Sequence, residues 1–150
     1  MLKSPGRLYL EDLYEGQLFI SAPHRIDEEQ IKRFAEEFDP QPFHLDEGTA
    51  TETLFGSLAA SGWHTGALTM RLIADSLPLA GGVIGAGGEI AWPKPTRPGM
   101  RLQAFTKITE VRPSKSKPDR GIVTIRCETR DQDGEIVQVL IGTLIVIRRP

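Results

Sequence analysis

The pattern of hydrophobic and polar positions changes character halfway along the chain. The first half holds two helical patterns, one with a single apolar stripe and one that is apolar over most of its circumference. The second half holds β-branched runs separated by turn residues, a pattern that is typical of strands. The predicted elements are a strand over 17–25, a helix opened by Asp27, a helical turn over 47–53, a helix over 62–77, and strands over 83–92, 102–111, 122–130 and 136–147.

The first helix has a well-marked start. Asp27 can cap the first backbone N–H groups, Gln30 occupies the capping-box position, and Ile26 can pack on Ile31 across the first turn. The chain cannot continue as a helix beyond Asp39, because prolines follow it at once. The apolar stripe of this helix consists of Ile31, Phe34, Ala35 and Phe38.

The second helix, over 62–77, is apolar over so much of its surface that most of it should be buried. Arg71 and Asp75 are placed to form an ion pair on its exposed edge. A helix of this kind, followed by a run of strands, predicts an α+β hot-dog fold. In that fold an antiparallel sheet wraps around one long buried helix, and here an additional segment should overhang between the first strand and that helix.

The strand-forming half adds detail to this architecture. Val123, Ile125 and Cys127 fall on one face of their strand, and Asp133-Gly134 is a hairpin signal. The last strand is apolar at both parities, which suits a central strand covered on both faces. Antiparallel sheets of this size commonly pair edge to edge, so we expect a homodimer or a higher homo-oligomer.

Composition and charge narrow the class of protein. The 150 residues fit one domain, spanning 1–150, and a net charge of -2 gives no reason to expect nucleic acid or an anionic membrane as a partner. The only cysteine, Cys127, excludes an intrachain disulfide. No run suits a membrane span or a signal peptide, so we expect a cytoplasmic protein.

Asp39 and His44 are the leading candidates for catalysis. They lie on a segment stiffened by Pro40 and Pro42, where a carboxylate and an imidazole can converge on one water molecule. By spacing alone the structural interpretation is favoured, in which Asp39 ends a helix and His44 bonds to the backbone.

The segment resembles the signature of MaoC-like (R)-specific enoyl-CoA hydratases. Residues 39–46, DPQPFHLD, are similar to the family pattern D-x-N-P-x-H-x-D, and Phe55-Gly56 and Ala60-Ser61-Gly62 are similar to its downstream F-G and A-H-G. Three positions differ from the family pattern. Gln41 replaces its asparagine, Ser61 replaces its histidine, and Phe38 replaces a glycine before the aspartate. These departures suggest a side branch of the family.

The resemblance implies a hydro-lyase of fatty acid metabolism, which adds or removes water across the trans-2 double bond of an enoyl thioester. Asp39 would act as a base on water, and His44 would orient the water and exchange its proton with the substrate α-carbon. Gly62, opening the buried helix, would provide the oxyanion hole. The substrate would be an acyl-CoA or an acyl-carrier thioester, with no cofactor other than the coenzyme A of the substrate.

Other residues are candidates for substrate binding. Lys94 and Arg97, in one basic stretch, and Lys115 and Lys117, in another, could hold phosphates of coenzyme A, although solvated loops have the same composition. Ser61 is a further candidate for substrate binding. Four residues could line an acyl pocket, with core packing as the alternative: Phe43, Leu54, Phe55 and Trp63.

Several conspicuous residues are expected to be structural. Asp46 is interpreted as a cap for the turn over 47–53, and His64 as a packed side chain. The glycines over 81–88 match no nucleotide-binding motif and should let a strand bend or approach a ligand. Three scattered histidines show no ligand spacing, so no metal site is expected.

Two other functions remain open on the sequence. A hot-dog acyl-CoA thioesterase would share the fold and the ligand, but its water would attack the carbonyl carbon. The pairing of an acid and an imidazole over residues 39–44 argues against it. A non-catalytic acyl or small-molecule binding module is the other alternative.

Overall fold

The computed structural model describes residues 7–150 and shows one antiparallel sheet packed on a long helix. A short 3₁₀ helix, Leu10–Asp12, precedes the first strand. The helices are α1 (Glu28–Phe38), α2 (Pro42–Leu45), α3 (Glu47–Ala50) and α4 (Gly62–Ser76). The strands are β1 (Leu18–Ile20), β2 (His24–Arg25), β3 (Ile84–Ala91), β4 (Arg101–Pro113), β5 (Arg120–Arg130) and β6 (Ile136–Ile147).

The sheet has the order β1-β4-β5-β6-β3, and β2 pairs separately with β4. The single first strand predicted over 17–25 is therefore wrong, since two short strands take its place. The break between the two strands occurs at Ser21. In a regular strand a backbone carbonyl would accept the N–H of Ala104, but here the Ser21 hydroxyl oxygen accepts it at 2.9 Å. Pro23 then removes a further backbone donor.

The start of α1 confirms its local sequence signals. The N–H of Gln30 donates to the Asp27 carboxylate at 2.8 Å, and the N–H of Asp27 donates to the Gln30 side chain at 3.2 Å. Ile26 and Ile31 are fully buried in one cluster. The buried stripe does not extend to the last turn, however, since Phe38 is 65% exposed.

Helix α4 confirms its predicted bounds to within one residue, but only one side of it is buried. Its buried positions are Thr65, Thr69, Leu72 and Ile73, whereas Trp63 and Met70 face outward. The expectation of a mostly buried helix is wrong for the single chain, because the sheet covers one face only. The predicted ion pair is present, with Arg71 Nε 2.8 Å from the Asp75 carboxylate.

The main core lies between α4 and the inner face of the sheet. Val123, Ile125 and Cys127 are all buried there, as their alternation predicted. Burial raises the pKa of the Cys127 thiol. Strand β6 lies inside the sheet between β5 and β3, but its outer face is only half covered and Ile141 is 39% exposed, so the prediction of two covered faces is wrong.

Glycines shape β3 and the last hairpin. The ladder between β3 and β6 shifts register between Gly85 and Gly87, and a side chain at Gly88 would collide with the carbonyl oxygen of Ile141. Gly134 has a φ of 80° in the turn that joins β5 to β6, which confirms the predicted hairpin. Within residues 7–150, none of the helices is long and apolar enough to cross a membrane.

Candidate active site

Asp39 and His44 meet because one helix ends and a shorter one begins. Asp39 is the C-terminal cap of α1, and its N–H still donates to the carbonyl of Ala35 at 2.9 Å. Pro42 then occupies the first position of α2, where its missing N–H costs nothing. His44 therefore projects from a one-turn helix, rather than from the irregular loop that the prolines predicted.

The two side chains form a close pair with a defined orientation. His44 Nε2 lies 3.4 Å from Asp39 Oδ2, and the His44 side chain is only 6% exposed. The other ring nitrogen, Nδ1, lies 2.6 Å from the carbonyl oxygen of Ala59. Because a carbonyl oxygen only accepts hydrogen bonds, Nδ1 carries a proton, and Nε2 is the nitrogen that can exchange one.

A cavity of about 290 Å³ opens beside His44. Its wall combines the imidazole, the first turn of α4 and the segment that follows β3. The lining residues are His44, Phe55, Ala60, Gly62, Thr65, Trp92, Lys94, Pro95 and Thr96.

Gly62 opens α4 at this wall, and the indole of Trp92 packs directly against it. A side chain at Gly62 would place its Cβ 2.6 Å from the Trp92 ring. The packing of Trp92 therefore requires a glycine at this position. The helix cap uses the N–H of Trp63, which donates to Ser61 Oγ at 3.2 Å, and not the N–H of Gly62.

Ser61 does not occupy the predicted position. It is fully buried, and its hydroxyl lies 2.7 Å from Asp39 Oδ2. Ser61 was predicted to bind substrate, but it is not among the residues that line the cavity, and its hydroxyl contacts the carboxylate instead.

The predicted aromatic wall is only partly formed. Phe55 lines the cavity, while Phe43 packs behind it, with ring centres 4.8 Å apart, and also contacts the edge of the His44 ring. Trp63 is 63% exposed and rests against Trp92 outside the cavity. Within one chain, therefore, Phe43 and Trp63 do not line the pocket.

Of the four predicted basic residues, only Lys94 reaches the cavity. Its ammonium lies 3.6 Å from the carboxylate of Asp131, whose side chain is 2% exposed. Arg97 instead donates to the backbone carbonyls of Phe55 and Ser57 at 2.6 and 2.8 Å. It holds the loop that carries Phe55, and it is not among the residues that line the cavity.

Lys115 and Lys117 lie in the turn between β4 and β5. The cavity adjoins the other end of β4, since Thr96 precedes that strand by a few residues. A strand of this length spans about 40 Å. The structure of one chain does not bring these two lysines to the site.

The residues expected to be structural have the contacts that such roles require. Asp46 Oδ2 accepts the N–H and the hydroxyl of Thr49 at 2.7 and 2.8 Å, and these hydrogen bonds lower the pKa of Asp46. His64 stacks on Phe34 with ring centres 4.6 Å apart, and burial lowers the pKa of its imidazole. The described residues contain no cluster of three metal-ligating side chains.

A layer of buried polar side chains beside the cavity was missed by the sequence reasoning. Thr65 donates to the hydroxyl of Thr96 at 2.9 Å, and both threonines reach the cavity. The Trp92 indole N–H donates to the fully buried side chain of Gln138 at 2.9 Å. One signal was available, because Thr65 and Thr69 recur at helical spacing among the apolar positions of this helix.

Comparison with known proteins identifies the class of protein that this fold and site define. The family described as MaoC like domain matches residues 14–129. A crystal structure of a MaoC-like dehydratase from Rhodospirillum rubrum is 57% identical, covers 95% of this chain and 99% of its own, and superposes with a TM-score of 0.93. The chain belongs to the MaoC-like dehydratase family, and the hot-dog fold is confirmed.

Two further proteins are similar to this chain over most of its length. The uncharacterized protein YdeM of Bacillus subtilis is 31% identical over 141 residues, which are 92% of this chain and 96% of YdeM. The unliganded (R)-hydratase PhaJ1 from Pseudomonas aeruginosa is 26% identical, with 95% of this chain and 88% of PhaJ1 covered and a TM-score of 0.76.

Proposed function

We propose that this protein is a hydro-lyase that adds water across the trans-2 double bond of an enoyl thioester, or removes it from a 3-hydroxyacyl thioester. The observation that carries this proposal is the separation of 3.4 Å between Asp39 Oδ2 and His44 Nε2 beside an open cavity. An acid and a base this close can serve the two protons that one hydration moves. Membership of the MaoC-like family supports the same reaction class.

Asp39 and His44 together account for both protons that move during hydration. Hydration begins with an Asp39 carboxylate and a protonated His44. Asp39 takes a proton from water as the water oxygen bonds to the β-carbon, and His44 Nε2 gives its proton to the α-carbon. The step leaves a protonated Asp39 and a neutral His44, which is the state from which dehydration starts. The hydrogen bond from Nδ1 to Ala59 keeps the ring fixed in both directions.

Gly62 supplies the oxyanion hole in this proposal. Its N–H opens α4, where the positive end of the helix dipole favours the negative charge of an enolate oxygen. Trp92 covers the Cα of Gly62 and so fixes the wall on which the thioester carbonyl rests. Lys94 is the cation of this wall, and we assign it to an anionic group of the substrate carrier, coenzyme A or the arm of a carrier protein.

A second cavity is suited to hold the apolar acyl chain of the proposed substrate. It has a volume of about 170 Å³ and lies between α4 and the sheet. Met70, at its edge, is eight residues beyond Gly62, or about 12 Å along the helix. Its side-chain lining is almost entirely apolar and includes Met70, Ile73, Val83, Ile125, Leu140 and Leu144.

We also propose that the protein is a homodimer joined through β3. This strand ends the sheet, and among the described residues it pairs only with β6. It contains no lysine or proline that would oppose pairing along its free edge. Exposed apolar side chains continue beside it, including Ile84, Met70 and Trp63. A second copy pairing by the same strand would cover them through a two-fold interface.

The test is an assay of the purified protein against a panel of trans-2-enoyl-CoAs. Loss of the conjugated double bond is followed while free thiol is trapped in parallel. The proposal expects double-bond loss that disappears in both Asp39→Asn and His44→Ala. Thiol release with the double bond intact would assign a thioesterase, and ligand binding with neither reaction would assign a binding module.

A further inference from the structure

The two oxygens of the Asp39 carboxylate have different surroundings. Oδ2 is contacted from two sides, by the Ser61 hydroxyl at 2.7 Å and by His44 Nε2 at 3.4 Å. Within residues 7–150, no hydrogen bond reaches Oδ1. The protein thus holds the carboxylate through Oδ2.

The contacts of Ser61 determine which group accepts its hydroxyl proton. Ser61 Oγ accepts the N–H of Trp63 at 3.2 Å, and an ionised carboxylate is an acceptor only. The hydroxyl must therefore donate to Asp39. Ser61 is fully buried, so bulk water does not compete for this hydrogen bond.

We infer that Ser61 is a positioning residue for the reaction: its hydroxyl fixes Oδ2 of Asp39 and so holds the carboxylate beside His44. The inference rests on the proposed hydro-lyase function. Ser61 also caps α4, so one side chain sets the distance between the catalytic carboxylate and the Gly62 N–H. Two parts of the site that are 23 residues apart in sequence are thereby held in one geometry.

This role gives a reason for serine at a position where the family signature has histidine. An imidazole in place of the Ser61 hydroxyl would have to fit a fully buried space between Asp39 and the first turn of α4. A hydroxyl fits there, and it both donates to the carboxylate and accepts from the helix.

The kinetic test compares Ser61→Ala, Ser61→Gly and Ser61→Thr on an enoyl-CoA that the wild type hydrates. Alanine and glycine both remove the hydroxyl, but glycine remains an acceptable helix cap whereas alanine does not. We expect kcat to fall at least tenfold in both, with KM changed less than twofold, and to recover in Ser61→Thr. If the alanine and glycine variants lose kcat equally but differ in thermal stability, the loss of kcat comes from the positioning of Asp39 and not from the helix cap.

A second measurement does not depend on activity. Urea unfolding of the wild type, Ser61→Ala, Asp39→Asn and the double variant should show that the two substitutions are coupled. An active wild type with unchanged kcat in Ser61→Ala and Ser61→Gly would overturn the inference. A loss of kcat in Ser61→Ala but not in Ser61→Gly would also overturn it, because only the alanine variant lacks an acceptable helix cap. A wild type inactive on every enoyl-CoA would instead overturn the proposed function, while the unfolding cycle still reports on the contact.

Discussion

The imidazole of His44 lies 3.4 Å from the Asp39 carboxylate through Nε2, while its Nδ1 lies 2.6 Å from the carbonyl oxygen of Ala59. The backbone bond fixes which nitrogen exchanges protons, and the short helix α2 directs that nitrogen at the carboxylate. The ring is almost completely buried, so its orientation does not depend on solvent. In the proposed reaction, the acid and the base are therefore in place before a substrate binds.

Removing either member of this pair should stop the reaction without unfolding the protein. Asp39→Asn and His44→Gln are each expected to lower kcat by about 10² to 10⁴, the usual contribution of a positioned acid or base. The measurement is initial-rate kinetics on an enoyl-CoA, with circular dichroism to establish the fold.

Asp46→Asn is the matched control for these variants. Asp46 belongs to the same sequence motif, but it caps α3 through Thr49 and lies outside the cavity lining. Its substitution should leave kcat unchanged and lower thermal stability slightly. A large loss of kcat in Asp46→Asn would contradict the assignment of roles.

Gly62→Ala should damage the site by displacing Trp92. The new Cβ would lie 2.6 Å from the indole, so the ring must move away from the cavity wall. Overpacking of this kind costs about 1–3 kcal/mol, and kcat/KM should fall together with stability. Urea unfolding and steady-state kinetics measure the two effects.

Gly66→Ala is the control for this substitution in the same helix. Its Cβ would meet only ordinary contacts, at 3.6 Å from Gln138 and Ile90. Since alanine is favoured over glycine in a helix by up to about 1 kcal/mol, the variant should be as stable as the wild type or more so. A destabilised Gly66→Ala variant would show that crowding at α4 is not specific to Trp92.

The stability contributed by Glu128 should depend on pH. Hydrogen bonds from Arg130, and secondly from Arg126, lower the pKa of its carboxyl below the unfolded value. A lowered pKa means that the stabilisation is complete above the unfolded pKa and is lost as the pH falls through the folded one. Glu128→Gln should therefore be destabilised by about 1 kcal/mol at neutral pH. The difference from wild type should shrink at an acidic pH below the unfolded pKa of the carboxyl. Urea unfolding at both pH values checks this, and a constant difference would be inconsistent with it.

Lys94→Met should weaken binding of the carrier rather than the chemical step. We expect a higher KM for an enoyl-CoA and an unchanged KM for the corresponding enoyl-pantetheine, which carries no phosphate. Steady-state kinetics on the two substrates makes the comparison. Lys115→Met makes the same charge change at the far end of β4 and should leave both KM values unchanged. Equal effects of Lys94→Met on both substrates would assign Lys94 to the thioester end of the ligand.

The free edge of β3 predicts a particle of twice the chain mass of 16.6 kDa. Light scattering coupled to size-exclusion chromatography measures it. Ala86→Pro should shift the protein towards monomer, because proline removes a backbone N–H from the free edge. Ala86 lies at the register shift of β3 and has no partner in β6, so the pairing within one chain should remain. Leu18→Lys, on the strand at the other end of the sheet, is the control and should leave the mass unchanged. A monomeric wild type would remove the proposed interface.

The sequence by itself determined the elements whose signals are local. The capping box of Asp27 and Gln30 places the start of α1, and Asp133-Gly134 places the last hairpin. In each case the interacting groups are within a few residues of one another, so the pattern holds the whole physical cause. The same is true of the segment 39–46, from which the acid, the imidazole and the family resemblance follow directly.

Only the tertiary structure decided what surrounds these groups. Ser61 was predicted to face the substrate and instead donates to Asp39, 22 residues away. Trp92 covers Gly62, and Arg97 holds the carbonyl of Phe55. These contacts join residues that are far apart in sequence and lie in loops or at the ends of elements, so they depend on how the elements are placed in the fold. Periodicity shows which face of an element is apolar, whereas strand register and helix placement determine which side chains from different elements meet.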